Sequence, residues 1–450
     1  MLKNVNGLRI AFHNLGCKVN SYEMDVMAEK LKSAGCITVP FHEKADVYII
    51  NTCTVTNIAD RKSRQMLHRA RKENPGAVVV AVGCYVETGL EGVKKDDCID
   101  LAIGNNKKSE IVEILDEFLS ARDDERDKTI FGRSVTDINH TKEYEDMHLS
   151  ELPEHTRAYI KVQDGCNQFC SYCVIPYARG RVRSREQGDV LDEVKALSDK
   201  GCREVVITGI HVGSYGLDRG KQELIDLIER IDGIAGIERI RLGSIEPRLI
   251  TLENVERLSR IKKLCPHFHL SLQSGSDSVL KRMNRHYTAE EFKNSVELLR
   301  NAFDRPAITT DVIVGFPGET DEEFEECRKF VSDIAFYEMH VFKYSPRKGT
   351  VAAGMPDQLT DRQKSQRSDL LLTQTAKDSY LYRQSFMGES LNVLWEDQEQ
   401  HGDKSYLVGH TERYVRVAAE LKEDSDNNPL SGEITTVKCT SFLDSETLLV

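Results

Sequence analysis

Cys166, Cys170 and Cys173 form a tight CxxxCxxC inside the run Asp164-Gly-Cys-Asn-Gln-Phe-Cys-Ser-Tyr-Cys-Val-Ile-Pro176. Three thiolates that close can hold three irons of a four-iron cluster, leaving the fourth open to a small molecule. Ferredoxin-type clusters take four cysteines. Structural zinc takes four ligands, usually as two separated pairs, and no second pair here is spaced to complete such a site. The spacing points to an iron–sulfur site with one open position; a zinc knuckle or chance spacing is the alternative. Three other cysteines each follow a β-branched run: Cys17 in Leu15-Gly-Cys-Lys-Val-Asn20, Cys53 in Asn51-Thr-Cys-Thr-Val-Thr56 and Cys84 in Val82-Gly-Cys-Tyr85. Carboxyl ends of parallel strands line the ligand crevice of an open sheet, so these three are expected to converge as a second cluster site. The alternative is that they are ordinary core cysteines. Cys36, Cys98, Cys202, Cys265, Cys327 and Cys439 show no such placement and count as small hydrophobes.

The elements that position these residues follow from periodicity. Over residues 1–135, strands at Arg9–Phe12, Val47–Ile50 and Ala77–Val82 alternate with helices at Ser21–Ala34, Asp60–Lys72 and Ser109–Arg122. That alternation predicts a parallel α/β domain carrying the auxiliary cluster. Residues 136–153 read as a linker, within a polar stretch that starts at Asp123 and has strand content around Lys128–Phe131. Residues 154–379 repeat strand then helix. Strands are expected at Ala158–Val162, Glu204–Thr208, Arg239–Gly243, His267–Leu272, Ala307–Val314 and Phe336–Phe342, and helices at Gln187–Lys200, Lys221–Ile231, Ala289–Ala302 and Asp321–Ile334. This count fits a partial (β/α)6 barrel with its site at the carboxyl ends of the strands, as in the full barrel. Residues 380–450 lose the helical period, and Leu391–Trp395, Ser405–Gly409, Tyr414–Val417 and Glu433–Thr440 predict a small antiparallel β-barrel.

At 450 residues the chain has room for several cores. No apolar run approaches the ~20 residues of a membrane span and no signal segment opens the chain, so a cytoplasmic protein without membrane contact is expected. With no export signal, twelve cysteines favour metal or redox chemistry over a disulfide framework. The net charge of −12 argues against nucleic acid only as a sum. Base is concentrated in Arg61–Lys72 and in Arg179-Gly-Arg-Val-Arg-Ser-Arg185, directly after the cysteine motif, and local base is what phosphate contacts need.

The CxxxCxxC resembles that of the radical S-adenosylmethionine (SAM) superfamily. Strand-end cysteines, this motif and a terminal β-barrel together resemble the radical SAM methylthiotransferases over nearly the whole chain. Thr208-Gly-Ile-His-Val-Gly-Ser-Tyr-Gly216, Leu270-Ser-Leu-Gln-Ser-Gly-Ser276, Thr310-Asp-Val-Ile-Val-Gly-Phe-Pro-Gly-Glu-Thr320 and Tyr344-Ser-Pro-Arg-Lys-Gly-Thr350 support the likeness. The resemblance implies two [4Fe-4S] clusters, SAM as methyl donor and as radical source, and a terminal RNA-binding TRAM module. It further implies an anticodon stem-loop of tRNA as substrate, a sulfur source, and an electron donor such as flavodoxin or ferredoxin. Leu-Gly-Cys-Lys-Val-Asn is similar to the branch acting on threonylcarbamoyladenosine (t6A). The isopentenyladenosine branch tends to Tyr-Gly-Cys-Gln-Met-Asn, and a third branch acts on a ribosomal-protein aspartate. A non-enzymatic iron–sulfur RNA sensor is the reading outside the family. SAM contacts are expected from Tyr172, Thr208, Gly209, Gln273, Ser274 and Asp311, and RNA contacts from Arg179, Arg181, Arg183, Arg185, Arg413 and Arg416.

Overall fold

Five parallel strands build the first sheet in the order β2-β1-β3-β4-β5: β1 (Arg9–Asn14), β2 (Ile37–Val39), β3 (Val47–Thr52), β4 (Val78–Gly83) and β5 (Leu101–Ile103). In this computed structural model the described residues are 4–121, 134–152, 156–421 and 429–450. The strand content expected around Lys128–Phe131 lies outside them. β3 and β4 are buried along their whole length, as central parallel strands covered on both faces should be. The chain runs from β1 out to β2 and returns on the other side as β3. The crevice therefore opens between the carboxyl ends of β1 and β3. Helices Lys18–Ser33, Asn57–Glu73 and Cys84–Val93 start there. The last of these, whose interior holds Gly89 at a kink, was not among the expected helices.

Six parallel strands form the central arc: β6 (Arg157–Asp164), β8 (Glu204–Gly209), β9 (Arg239–Leu242), β10 (His267–His269), β11 (Ala307–Val314) and β12 (Glu338–Lys343). Two ladders, β6-β8-β9 and β10-β11-β12, are joined by single bridges at Ile240–Leu264 and Ile245–Leu270. A short antiparallel β7 (Arg183–Ser184) flanks β6. The result is the expected open (β/α)6 barrel. Helices Ala289–Ala302 and Asp321–Ile334 each start at a capping box, Thr288 with Glu291 and Thr320 with Glu323. Ile207, Leu242, Phe268, Leu270 and Val312 join the core under the helices. Strand alternation then turns Thr208, Arg241, His267, His269 and Asp311 to the inner face.

The C-terminal sheet has the order β16-β13-β14-β15-β18-β17, from β13 (Ser390–His401), β14 (Lys404–Thr411), β15 (Arg416–Glu420), β16 (Ile434–Lys438), β17 (Ser441–Phe442) and β18 (Thr447–Leu449). It is antiparallel except for β15–β18, and it curls into a half-barrel around the buried Trp395. Helix Asp361–Gln384 runs past residue 380, where the last domain was expected to start, and the first strand of the sheet begins at Ser390, one residue before the expected Leu391. The half-barrel covers the amino ends of the central strands. Arg239 donates to the carbonyls of His410 (3.0 Å) and Asn392 (2.9 Å), and Arg241 to those of Glu412 (2.9 Å) and Thr411 (3.2 Å). Tyr414 packs between the guanidiniums of Arg157 and Arg241, each 4.8 Å from its ring centre. Among the described residues no helix is long and apolar enough to cross a membrane.

Candidate metal centres and the cleft between them

β6 ends at Asp164, and the CxxxCxxC loop leaves through Gly165 at φ +71°. A Cβ there would run into the Arg181 carbonyl, so glycine is required. The loop is pinned from both sides. Cys166 N–H donates to Gly180 O (3.0 Å), Ser171 N–H to Met283 O (3.0 Å), and the Asn284 amide to Phe169 O (3.1 Å). Phe169 itself is held at φ +49°, a left-handed conformation that a bulky side chain rarely adopts. Cys166 and Cys170 are buried and Cys173 is half-buried. Burial, then the neighbouring thiols, push Cys166 up to about 11 and Cys173 up to about 12. Three thiols on one short, backbone-pinned loop, two of them buried and one half-buried, are a donor set that a cation can hold once it displaces their protons. The structure thus fits a cluster at this triad.

Behind it stands a charged chain that the sequence reading missed. Arg285 Nη1 donates to Cys170 Sγ (3.2 Å), Arg285 also lies 3.0 Å from Glu246, and His211 lies 3.2 Å from the same carboxylate. Glu246 follows the β9 exit and His211 the β8 exit. An acid and a base after successive barrel strands were the available signal.

Of the residues assigned to SAM, Thr208 and Gly209 end β8 beside Gln163, close enough that a Cβ on Gly209 would lie 2.9 Å from the Gln163 amide oxygen. Gln273 is buried at φ +69° and is locked to β11 through Asp311 O (2.8 Å) and Ile313 N–H (2.9 Å). Asp311 lies 3.3 Å from His269 Nε2. Ser274 is buried, and its hydroxyl accepts from Ser276 N–H (3.3 Å), so it serves its own turn. Tyr172 packs edge-on against Phe316 in a small apolar cluster behind the loop.

The second triad is assembled by the sheet. Cys17 caps the helix after β1, Cys53 follows β3, and Cys84 opens the helix after β4. Cys17 is exposed, Cys53 half-buried and Cys84 buried. Cys53 is pushed up to about 11 by burial and then by Cys84 and Cys17, so the three thiols feel one another. Gly83, at φ +98°, lets Cys84 approach: a Cβ there would lie 2.6 Å from Asn51 Oδ1. Asn20 Oδ1 accepts from Cys17 Sγ (3.3 Å) and from Arg179 (3.1 Å). Asn105 Nδ2 reaches Cys84 Sγ (3.5 Å) and Ala178 O (2.6 Å). The segment following the first triad is therefore stitched to the second.

That segment corrects one sequence expectation. Arg179, Arg183 and Arg185 are interior, with relative exposures of 0%, 1% and 2%, and present no charge to a phosphate. Arg179 forks onto Glu23 (2.6 and 3.0 Å), which also binds Lys161 (2.8 Å) and Lys108. Burial alone would raise the Glu23 carboxyl. Arg179, Lys108 and Lys161 outweigh it and hold that carboxyl well below its usual range. Arg183 lies 3.7 Å from Asp164, and Arg185 pairs with Glu193. The basic run is an internal ion-pair lattice because its acids come from distant elements. Arg181 alone of the four is partly exposed, its guanidinium 4.7 Å from the Phe169 ring centre. Arg413 is tied to Asp304 (3.1 Å) and Arg416 to Glu399, so both are already partnered. On helix Asn57–Glu73, by contrast, Arg61, Lys62 and Arg64 are exposed, and none forms an ion pair with another described residue. The motif around Ser345 also gains a role: Arg347 reaches from the barrel to Thr54 (2.7 Å), Asn57 (2.6 Å) and Asp60 (2.7 Å), bracing the loop after Cys53.

Residues 160–331 match the model of the Radical SAM superfamily, and residues 9–104 that of Uncharacterized protein family UPF0004. In fold, the radical S-adenosylmethionine methyltransferase TsrM from Kitasatospora setae is similar, with a TM-score of 0.55 at 16% identity over 77% of each chain. The tRNA-2-methylthio-N(6)-dimethylallyladenosine synthase of Pelotomaculum thermopropionicum is 35% identical over 398 residues, 86% of each chain. The Threonylcarbamoyladenosine tRNA methylthiotransferase MtaB of Bacillus subtilis is 39% identical over 431 residues, 95% of this chain and 93% of that one. Identity at this level across almost the full length of both sequences carries more than fold, and the chain belongs to the radical SAM tRNA methylthiotransferases.

Proposed function

We propose that the protein inserts a methylthio group at C2 of t6A at position 37 of tRNA, one SAM donating the methyl group and a second serving as radical source. The observation that carries this reading is the pair of separate cysteine triads joined across one cleft by Asn105 and Arg179. When bound, a [4Fe-4S] cluster at Cys166, Cys170 and Cys173 supplies the electron that cleaves SAM, and one at Cys17, Cys53 and Cys84 supplies the place for the sulfur to be transferred. The chain's own residues position and enclose. Arg285 fixes Cys170 and sets the polarity around its sulfur, as hydrogen bonds to ligand sulfurs do. The backbone at Thr208–Gly209 and the side chain of Gln273 line the inner mouth for SAM. The half-barrel closes the opposite end of the barrel, which keeps water from a radical formed inside.

Arg61, Lys62 and Arg64 flank the Cys53 loop and offer the free cations that tRNA phosphates require, with Arg181 beside the other triad. An external electron donor and a sulfur source complete the reaction. Nucleoside mass spectrometry of tRNA from cells lacking the protein tests the substrate. The 2-methylthio derivative of t6A should vanish while t6A persists. Loss of the isopentenyl product, or of a methylthio group on a ribosomal-protein aspartate, would assign another branch.

A further inference from the structure

Exposed aromatic rings are scarce on this chain, and two of them meet at the rim of the first triad. Among the described residues the Phe and Tyr side chains open to solvent are Phe169, Tyr177, Phe342 and Tyr380. Phe169 and Tyr177, at 38% and 44% exposure, lie edge to face with ring centres 6.3 Å apart. Tyr380 is instead stacked on Phe442 at 4.9 Å. The Arg181 guanidinium lies over the Phe169 ring at 4.7 Å and donates to Pro176 O (3.1 Å). It forms no ion pair with another described residue. Two rings and one planar cation thus make a continuous, half-open surface.

That surface is fixed by its backbone and not by burial. Phe169 is held at φ +49°, and the Asn284 amide donates to its carbonyl (3.1 Å). Tyr177 belongs to the short helix Ile175–Ala178, which packs on helix Cys84–Val93 of the N-terminal domain. The next carbonyl, of Ala178, accepts from the Asn105 amide (2.6 Å) that also reaches Cys84 Sγ (3.5 Å). Phe169 directly precedes the ligand Cys170 of the first triad, and Tyr177 stands one residue from the tie to the second. The rings therefore mark the entrance between the two triads. Beside the Cys53 loop, Arg61, Lys62 and Arg64 are exposed and unpaired among the described residues. Aromatic faces interleaved with free cations suit single-stranded nucleic acid, whose bases stack while its phosphates pair. A protein partner is instead expected to meet a contiguous apolar core, which two rings around a guanidinium do not supply.

We propose that Phe169, Tyr177 and Arg181 form a stacking platform for the unpaired nucleobase next to the target adenine in an RNA loop. This rests on the tRNA reading above and is independent of what the adenine carries at N6. A base that reacts in a cleft between two metal centres has to leave its stack. Its neighbour then loses a stacking partner and faces water unless the protein supplies a flat surface. Rings and a guanidinium fixed beforehand supply one with little freedom left to lose on binding. Every base has a π face, so such stacking tolerates any sequence. The platform sets the register of the loop without reading the identity of the base it holds.

The test measures binding of reconstituted full-length protein to three labelled RNAs. One is an anticodon stem-loop, one the same RNA with an abasic nucleotide beside the target adenine, and one a fully paired duplex of equal length. Tyr177→Leu should weaken binding to the intact stem-loop by about fivefold or more, as loss of a base–aromatic stack does, and Tyr177→Phe should restore it. The slope of affinity against salt should be the same in both, because no phosphate contact is removed. Wild-type protein should lose a similar factor on the abasic RNA, and Tyr177→Leu should lose nothing further there. Binding to the duplex should be indifferent to the substitution. Phe169→Leu should behave as Tyr177→Leu does, with iron content measured alongside to show that its loop still holds a cluster. If that variant loses iron, the Tyr177 series and the abasic RNA decide. Undiminished wild-type binding of the abasic RNA, full affinity in Tyr177→Leu, or an equal loss on the duplex overturns the platform. A wild-type protein that binds no anticodon stem-loop overturns the tRNA reading itself.

Discussion

The two cysteine triads reach similar ends by opposite routes. Cys166, Cys170 and Cys173 sit on one loop, whose shape is set by a left-handed Phe169, by Gly165 and by bonds to Met283 and Asn284. Cys17, Cys53 and Cys84 come from the ends of three strands that are neighbours in the sheet, and only the β1-β3-β4 register brings them together. A loop-built site fails when its backbone strain is disturbed. A sheet-built site fails when strand exits shift. Between them lies Glu23, whose carboxylate holds Arg179, Lys161 and Lys108 and so ties the barrel segment that carries the first triad to the N-terminal domain that carries the second.

The largest expected effect removes that tie. Glu23→Ala leaves three buried cations without their common partner, at a cost of about 3–5 kcal/mol. The unfolding midpoint should drop sharply, with iron lost from both triads; a variant that keeps its midpoint would show that the triads are held independently. The sign with pH follows from the depressed carboxyl. Its stabilisation is fully present above the unfolded value of 4.5 and is lost as pH falls below that toward the folded value. Acid unfolding of the apoprotein should therefore be less steep in Glu23→Gln.

Next come the glycines that separate the two routes. Gly165→Ala drives a Cβ into the Arg181 carbonyl, and Gly83→Ala drives one against Asn51. Each should reduce reconstituted iron from about eight to about four per chain, the first by emptying the loop site and the second the sheet site. Loss of all iron in either variant would erase the distinction.

A smaller effect sharpens the loop side alone. Arg285→Gln removes the guanidinium donor on Cys170, so the reduction potential of that cluster should become more negative while the other is unmoved. Two potentials moving together in an EPR-monitored titration would place Arg285 in a general structural role.

The loop triad was legible because its spacing is local, and the strand-end triad because parallel βα order implies where exits converge. All six central strands were legible from their apolar runs. What escaped were partners remote in sequence. Arg179-Gly-Arg-Val-Arg-Ser-Arg185 looks like a solvated basic run, and nothing local says that Glu23, Asp164 and Glu193 bury it. Helix Cys84–Val93 was hidden by its glycines, and β18, three residues long and paired in parallel with β15, was too short to show a pattern.

Iron and SAM turnover in two triple variants test the central claim, that the triads are separate sites with separate work. Replacing Cys166, Cys170 and Cys173 by Ala should halve the iron and abolish reductive SAM cleavage. Replacing Cys17, Cys53 and Cys84 should also halve the iron while SAM cleavage continues and no methylthiolated tRNA forms. A Cys17/Cys53/Cys84 variant that retains all its iron would contradict the account.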